Sequence, residues 1–178
     1  MSYIIEMGTL TRHNNLSSSF LPNIWDLFRN KEVFALQENC MLCFNGRRYS
    51  GLEELIDLDK IEDLTTFKLE IINKLDFVQP DFFMYYKNRY IQNKSTSKTA
   101  GVPDLVVEVW SESNSFEERK FKKSLYGSSD KCEFWEIEQD SNYLKAHLGT
   151  KELWEKSIDS LIYSQNGLCF DLRHLYVG

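Results

Sequence analysis

Glycine and proline are scarce in this chain of 178 residues, at 8 and 3 positions. Collagen-like repeats and Pro- or Gly-rich low-complexity segments need far more of both, so these classes are excluded. No apolar run approaches the roughly 18 residues that a membrane-spanning helix requires. The first residues also lack a basic segment followed by a long apolar stretch, so no secretory signal is expected. We therefore expect no membrane partner.

Cysteine and basic residues are sparse as well. Four cysteines in a chain without an export signal are expected to be reduced thiols, which is typical of cytoplasmic proteins. The 21 basic residues are outnumbered by 27 acidic ones, which gives a net charge of −6. This charge disfavours phosphate binding by a basic field over the whole molecule, but a local basic patch can still bind nucleic acid.

Composition and periodicity predict one α/β domain over residues 1–178, because 42% of the residues are hydrophobic and can form one core. Helices are predicted over residues 13–29 and 115–126, the second with a capping-box signature. Residues 88–101 are expected to form a loop. Strands are predicted over 32–36, 41–44, 68–76, 78–86, 105–110, 133–138, 143–148 and 152–158. This order indicates a mixed sheet with flanking helices.

The candidate chemistry begins at Glu108, an acid inside the apolar strand Leu105–Trp110. A carboxylate in such a strand costs free energy unless it is paired or binds a metal, and the strand alone favours neither reading. Asp81 follows Pro80 and opens the preceding strand, although Pro-Asp also marks ordinary turns. If the two strands are neighbours, Asp81 and Glu108 lie side by side and can share a divalent ion, because Mg²⁺ prefers oxygen ligands.

The helix that follows supplies a cation. Glu118, Lys122 and Tyr126 recur every four residues, so they share one face of the helix. Lys122 lies at the border of the apolar stripe, where it either points toward the carboxylates or extends into solvent within a basic run. Two carboxylates and a lysine are a set that nucleases use. The acids hold a metal that activates water, and the lysine stabilises the charge on the phosphate.

A specific resemblance lies in residues 101–113, which read Gly-Val-Pro-Asp-Leu-Val-Val-Glu-Val-Trp-Ser-Glu-Ser. This segment resembles the G-x-P-D-L-V-V-E-V-L-S-P-S signature of the Uma-two family, whose members are proposed endonucleases of the PD-(D/E)XK, or restriction-endonuclease-like, superfamily. Other family motifs are matched in register by Val78-Gln79-Pro80-Asp81, by Lys122 and Tyr126, by Glu133-Phe134-Trp135, by His13-Asn14 and by the tail over residues 167–172.

The resemblance implies a restriction-endonuclease-like fold with a central mixed sheet flanked by helices. It also implies Mg²⁺-dependent (or Mn²⁺-dependent) hydrolysis of phosphodiester bonds, with DNA as the expected substrate. Asp81 and Glu108 would be metal ligands and would act in catalysis together with Lys122. The usual lysine of the superfamily falls at Trp110, so Lys122 on the following helix takes its place. Asp104 is expected to be either a supporting acid or the residue that starts the strand.

Further residues are expected to support the site, and basic residues of the predicted loop and of the following helix are candidates for nucleic-acid binding. His13, Tyr126 and Trp135 are expected to lie beside the site as supports. The predicted nucleic-acid surface consists of Arg89, Lys94, Lys98, Arg119, Lys120 and Lys123. For the three residues of the loop, a plain solvated loop is an equal alternative. A homodimer is expected, because two-fold symmetry suits the cleavage of both strands of a duplex.

The alternative function is a catalytically degenerate module of the same fold, which binds nucleic acid or protein. The acidic opening segment of the family, Y-E-L-I-D-G, is missing from this chain. Glu6 is the nearest substitute for the acid that this segment offers. The absence of the opening segment favours the binding module, whereas the match at Asp81, Glu108 and Lys122 favours the enzyme.

Overall fold

The structure is a computed structural model that describes residues 12–37, 41–43, 77–87, 91–92, 98–100 and 102–178. The strand predicted over 68–76 lies outside these residues, as do Glu6, Arg89 and Lys94. Among the described helices, none combines the length and apolar character needed to cross a membrane.

A mixed six-stranded sheet forms the centre of the described structure. Its strands, in spatial order, are β1 (Val33–Gln37), β4 (Phe82–Tyr86), β7 (Leu105–Trp110), β8 (Glu133–Glu138), β9 (Tyr143–Leu148) and β10 (Lys151–Ser157). Strands β7 and β8 are parallel, and the other neighbouring pairs are antiparallel. The predicted mixed sheet with flanking helices is therefore confirmed.

Two smaller sheets complete the strand set of the described residues. One contains β2 (Met41–Cys43), β3 (Phe77–Val78), β5 (Ile91–Gln92) and β6 (Lys98–Ala100), in the order β3-β2-β6-β5. The other pairs β11 (Ile162–Tyr163) with β12 (Cys169–Phe170). The loop predicted over 88–101 is wrong at β5 and β6. The pairing of β6 with β2, and of β5 with β6, makes strands of polar segments that have little strand propensity of their own.

The long strand predicted over residues 78–86 is also wrong. Strand β3 ends at Val78 in one sheet, and β4 begins at Phe82 in another. Pro80 explains the break, because it has no N–H to donate to a sheet ladder. The chain changes sheets at this point, which leaves Asp81 at the first turn before β4.

The helix predicted over 13–29 is divided into three short helices: α1 over residues 12–18, α2 (Phe20–Asn23) and α3 (Trp25–Arg29). Pro22 cannot donate to the carbonyl of residue 18, and the first interruption falls just there, at Ser19. Helix α4 (Phe116–Gly127) follows β7, and its N-cap hydroxyl, from Ser115, accepts the Glu118 N–H at 3.1 Å as the capping box requires.

The central sheet has a core on each face. Leu105, Val107 and Val109 of β7 pack with α1–α3 on one face. On the opposite face, Val106 and Trp110 pack with α4, and we refer to this side as the α4 face. The strand alternates strictly, so Glu108 falls on the α4 face, opposite the helix that carries the predicted lysine.

Candidate active site

Glu108 is an acid almost fully removed from solvent, with 2% of its surface exposed. Its Oε1 accepts a hydrogen bond of 2.6 Å from the hydroxyl of Tyr126. The same oxygen lies 3.1 Å from Nζ of Lys122. Both partners are on α4, four residues apart, so a single helix face provides both contacts to this carboxylate.

Asp81 lies beside Glu108 because β4 and β7 are neighbouring antiparallel strands. Phe82 is paired with Val107, so the next position along this register brings Asp81 alongside Glu108. The Asp81 Oδ2 accepts the backbone N–H of Val109 at 2.7 Å, which satisfies a donor that β4 does not reach. The predicted proximity of the two carboxylates is therefore present in the structure.

Lys122 is buried, with 9% of the residue exposed. Besides Glu108, its Nζ lies 3.6 Å from Oε1 of Glu118 and 3.5 Å from the backbone oxygen of Gln79. It also lies 5.8 Å from the centre of the Trp110 ring. The helix lysine thus reaches the space next to Trp110, the position at which the superfamily pattern places its own lysine. The reading of Lys122 as a solvent-extended surface lysine is wrong.

The electrostatics of this cluster follow from burial first, and then from the charges of neighbouring acids. Burial raises the pKa of Glu108 to about 7, and the charge of Asp81 adds to this effect, while Lys122 and Tyr126 oppose it. Burial alone would lower the pKa of Lys122, but Glu108, Glu118 and Asp81 outweigh it and raise that pKa. Burial and the Glu108 charge also raise the pKa of Tyr126 well above its usual value. One ammonium therefore faces several carboxylates, and the cluster can accept further positive charge.

His13 completes the group from the other side. Its Nε2 lies 3.7 Å from Oδ1 of Asp81, and both side chains are one-fifth exposed, at 19% each. An imidazole at this distance attracts the carboxylate when it is protonated. The structure therefore brings His13 next to Asp81, as the family comparison implied.

Arg12 is a residue that sequence reasoning missed. Its guanidinium donates to the backbone oxygens of Leu175 and Ser141, each at 2.7 Å, and to the backbone oxygen of Gln139. These bonds fasten the described start of α1, one residue before His13, to the segment that follows β8 and to the 3₁₀ helix Arg173–Leu175. A single arginine in a polar helix start gives no pattern from which this role could be predicted.

The donor set fits a hard divalent cation in its chemistry. Asp81 and Glu108 offer carboxylate oxygens, and Mg²⁺ commonly uses one or two carboxylates together with waters and substrate phosphates. Within the described part of the chain, no group of three or more His, Cys, Asp or Glu side chains is arranged to hold a metal.

Two residues predicted to support the site lie elsewhere. Trp135 is paired with Val107 and belongs to the core on the α1–α3 face, where its indole N–H donates to Glu133 at 2.8 Å. Asp104 lies before the start of β7, and its Oδ2 accepts the backbone N–H of Tyr86 at 2.7 Å. Strand periodicity accounts for Trp135, since alternate residues of β8 face opposite sides. Asp104 is thus the residue that starts the strand. Of Asp104, Trp135 and Tyr126, only Tyr126 contacts Glu108.

Most of the predicted nucleic-acid surface is engaged or lies outside the described residues. Arg119 pairs with Glu138, donates to the Ser111 carbonyl at 2.8 Å and lies 5.3 Å from the Trp110 ring. Lys123 pairs with Glu136 at 3.0 Å. Lys120 is exposed, and only the backbone of Lys98 is described. Arg119 and Lys123 thus have partners in the protein, which sequence spacing did not reveal.

The comparisons with known proteins agree with this architecture. The Uma2 family model, described as "Putative restriction endonuclease", matches residues 58–158, which is more than half of the chain. A crystal structure of "a putative nuclease belonging to DUF820" from Anabaena variabilis resembles this chain with a TM-score of 0.57 and 14% identity. That similarity covers 87% of this chain and 73% of the other, and at this identity it shows the fold alone. No curated protein matches the sequence.

The described strands and helices form an α/β fold with a central mixed sheet. The chain belongs to the Uma2 family of restriction-endonuclease-like proteins, which confirms the resemblance seen in its sequence motifs. The description of this family supports a nuclease.

Proposed function

We propose that this protein is a metal-dependent endonuclease that hydrolyses phosphodiester bonds and that its main substrate is DNA. The observation that carries the proposal is the convergence of Asp81, Glu108 and Lys122, which come from two strands and a helix. A bound Mg²⁺ or Mn²⁺ would supply Lewis acidity and a more acidic bound water. The two carboxylates would hold this ion, since carboxylate oxygens are ligands that Mg²⁺ prefers.

The residues of the chain have separate tasks in this proposal. Tyr126 fixes the Oε1 side of Glu108 by its hydrogen bond, so the rotamer of the buried carboxylate is set before any ligand arrives. Asp81 is fixed in the same way by the Val109 N–H. Lys122 carries a positive charge at neutral pH and can attract the anionic phosphate, orient the attacking water and stabilise negative charge that develops in the transition state.

The high pKa of Glu108 supports the metal-binding reading over a plain ion pair. If Lys122 fully compensated Glu108, the pKa of this acid would be low, as it is in ordinary salt bridges. Instead burial raises it to about 7. A second cation beside Asp81 and Glu108 would favour the ionised form of Glu108, which burial disfavours.

A non-catalytic binding module is the second candidate. It is favoured by the short contact between Lys122 and Glu108, 3.1 Å, which already gives the acid one partner. It is also favoured because, among the described residues, no group of three or more His, Cys, Asp or Glu side chains is placed to hold a metal. In this reading the cluster holds α4 on the sheet, and the nucleic acid or protein partner binds elsewhere.

Ion binding and cleavage separate the two candidates. The enzyme should show a higher melting temperature in Mn²⁺ or Mg²⁺, and Glu108→Ala should lose this shift. Wild-type protein should convert supercoiled plasmid or cut single-stranded DNA under the same conditions. Intact substrates over a wide range of protein concentration, with no thermal shift, would establish the binding module instead.

Assembly and location are also part of the proposal. We propose a homodimer in the cytoplasm, since a two-fold pair of such sites can address both strands of a duplex. Analytical ultracentrifugation with and without a short duplex tests the dimer. A monomer in both conditions would exclude it, and the endonuclease would then act on one strand at a time.

A further inference from the structure

A cavity lies at the edge of the described central sheet, away from the carboxylates. Its volume is about 470 Å³, and it forms where α3 ends, β1 begins and β4 ends. The residues that line it are Phe28, Arg29, Lys31, Val33, Phe34 and Lys87. Cavities of roughly 300–1,000 Å³ with mainly apolar walls are typical of binding sites for small groups. Strand β4 separates this cavity from Asp81 by about 20 Å, at about 3.3 Å per residue.

The charged side chains that line the cavity are all cations. Arg29 lies 3.6 Å from Asp26, in a pair that is largely exposed to solvent and therefore weak. The backbone N–H of Lys87 donates to the carbonyl of Glu32 at 3.1 Å, which joins the end of β4 to the start of β1. A set of three cations around apolar walls is unusual in a chain of net charge −6. It is complementary to an anionic ligand that also has an apolar part.

Lys31 adds an independent observation. Its φ is +58°, and among the described residues other than glycine it alone has a positive φ. The N–H groups of Lys31 and Glu32 donate to the carbonyls of Phe28 and Leu27, at 3.1 and 2.9 Å, in the manner of a Schellman motif at the end of α3. Glycine is the favoured residue at this position, since a side chain there is strained. A lysine at this position is not explained by the turn, and we infer that its ammonium group serves in binding.

The aromatic walls indicate which anion fits. Phe28 lines the cavity and stacks on Trp25 with ring centres 5.5 Å apart. Phe34 also lines the cavity, but it packs on the α4 face of the sheet, whereas Phe28 packs on the α1–α3 face. Every nucleobase has a face that can stack on such rings, but in a duplex both faces are covered by neighbouring bases. An unpaired nucleotide therefore matches both the apolar walls and the cationic rim.

We propose that this cavity binds single-stranded nucleic acid, with one unstacked base against its apolar wall and the adjoining phosphates on Arg29, Lys31 and Lys87. The proposal rests on the proposed nuclease function, because it gives the enzyme a second contact with an unpaired region of its substrate. It places that contact at the β1 edge of the sheet, about 20 Å from the site of cleavage.

Lys31→Gly is the decisive variant, because it removes the charge and relieves the strained backbone at once. The melting temperature should rise by about 2–4 °C. The affinity for a fluorescently labelled oligothymidylate, measured by anisotropy in EDTA, should fall about fivefold, and the salt dependence of binding should become less steep. Lys151→Gln is the matched control, since it removes an exposed lysine at the opposite edge of the sheet, on β10, and should bind as the wild type does.

Several results would overturn the proposal. These are unchanged affinity in a Lys31→Gly variant of raised stability, equal weakening by Lys151→Gln, and no binding of the oligonucleotide by wild type. Displacement of the oligonucleotide by a polyglutamate peptide of equal charge at equal concentration would assign the cavity to an acidic protein segment instead. A duplex of the same length that binds as tightly, and with the same dependence on Lys31, would exclude the unstacked base.

The same samples, assayed for cleavage in Mn²⁺, distinguish this proposal from the nuclease function. If wild type cuts DNA and Lys31→Gly binds and cuts equally well, the cavity proposal fails and the nuclease stands. If wild type binds through Lys31 but cuts nothing, the nuclease fails and the cavity stands as a nucleic-acid site.

Discussion

The hydroxyl of Tyr126 donates to Oε1 of Glu108 at 2.6 Å, and both side chains are buried. This bond favours the ionised form of the acid and so opposes the effect of burial on its pKa. The phenol and the lysine approach one carboxylate oxygen from one helix face. The orientation of Glu108 therefore depends on α4 as much as on its own strand.

Tyr126→Phe should weaken the site without emptying the core. The variant keeps the ring packed against Phe134 but removes the donor, so the pKa of Glu108 should rise further. We expect a loss of about 1–2 kcal/mol in the free energy of unfolding at pH 8 and a smaller loss at pH 5, where Glu108 is protonated in both proteins. Urea denaturation at the two pH values measures this. An equal loss at both would show that the bond does not depend on the charge of Glu108.

Stability without divalent ions should depend on pH through Glu108. Its pKa is about 7 in the folded protein against an ordinary value of 4.5, so proton binding favours the folded state. This contribution is complete below about pH 4.5 and is lost as the pH rises through about 7. Between pH 5 and 8, wild type should lose about 2 kcal/mol relative to Glu108→Gln, and thermal melts in EDTA provide the measurement. Parallel curves for the two proteins would contradict the raised pKa.

Asp81→Asn separates the structural role of this residue from its proposed role at a metal. The amide oxygen can still accept the Val109 N–H, so the melting temperature in EDTA should be unchanged or slightly higher, since one negative charge near Glu108 is removed. The thermal shift produced by Mn²⁺ in wild type should disappear. Asp140→Asn, at an exposed aspartate, is the control and should keep that shift. A full Mn²⁺ shift in Asp81→Asn would remove Asp81 from the set of ligands.

Arg119 and Lys120 are neighbours of equal charge with different surroundings. Arg119→Gln should lower the free energy of unfolding by about 1 kcal/mol, because it loses the Ser111 carbonyl, Glu138 and the Trp110 ring. Lys120→Gln should leave stability unchanged and weaken binding to DNA. Chemical denaturation and anisotropy on both variants check this. The account of Arg119 is wrong if its variant is as stable as the Lys120 variant.

Much of the site was predictable because its signals are local. An acid in the apolar strand β7 is costly by itself, and the spacing of Lys122 and Tyr126 places both on one helix face. The position of Asp81 beside Glu108 required only the assumption that the strands predicted over 78–86 and 105–110 are neighbours in the sheet. These inferences use periodicity, which the backbone obeys strictly in short regular elements.

The remaining features depend on contacts between distant segments. Nothing near Arg119 in the sequence indicates Glu138, and nothing near Arg12 indicates Leu175. Strand β6 forms because β2 lies beside it, and its own residues favour a loop. The break after Val78 was hidden by apolar residues on both sides of Pro80, although the missing N–H of that proline explains it afterwards. A local sequence pattern carries no information about pairing between segments that are distant in the chain.

The most direct measurement compares cleavage of supercoiled plasmid in Mn²⁺ by wild type, Lys122→Met and Lys131→Met under single-turnover conditions. Methionine keeps most of the volume of the buried lysine, and Lys131 is an exposed lysine apart from the cluster. The account predicts that wild type and Lys131→Met cleave at similar rates, whereas Lys122→Met loses at least about 100-fold in rate and retains most of its Mn²⁺ affinity. Cleavage by Lys122→Met at the wild-type rate would contradict it.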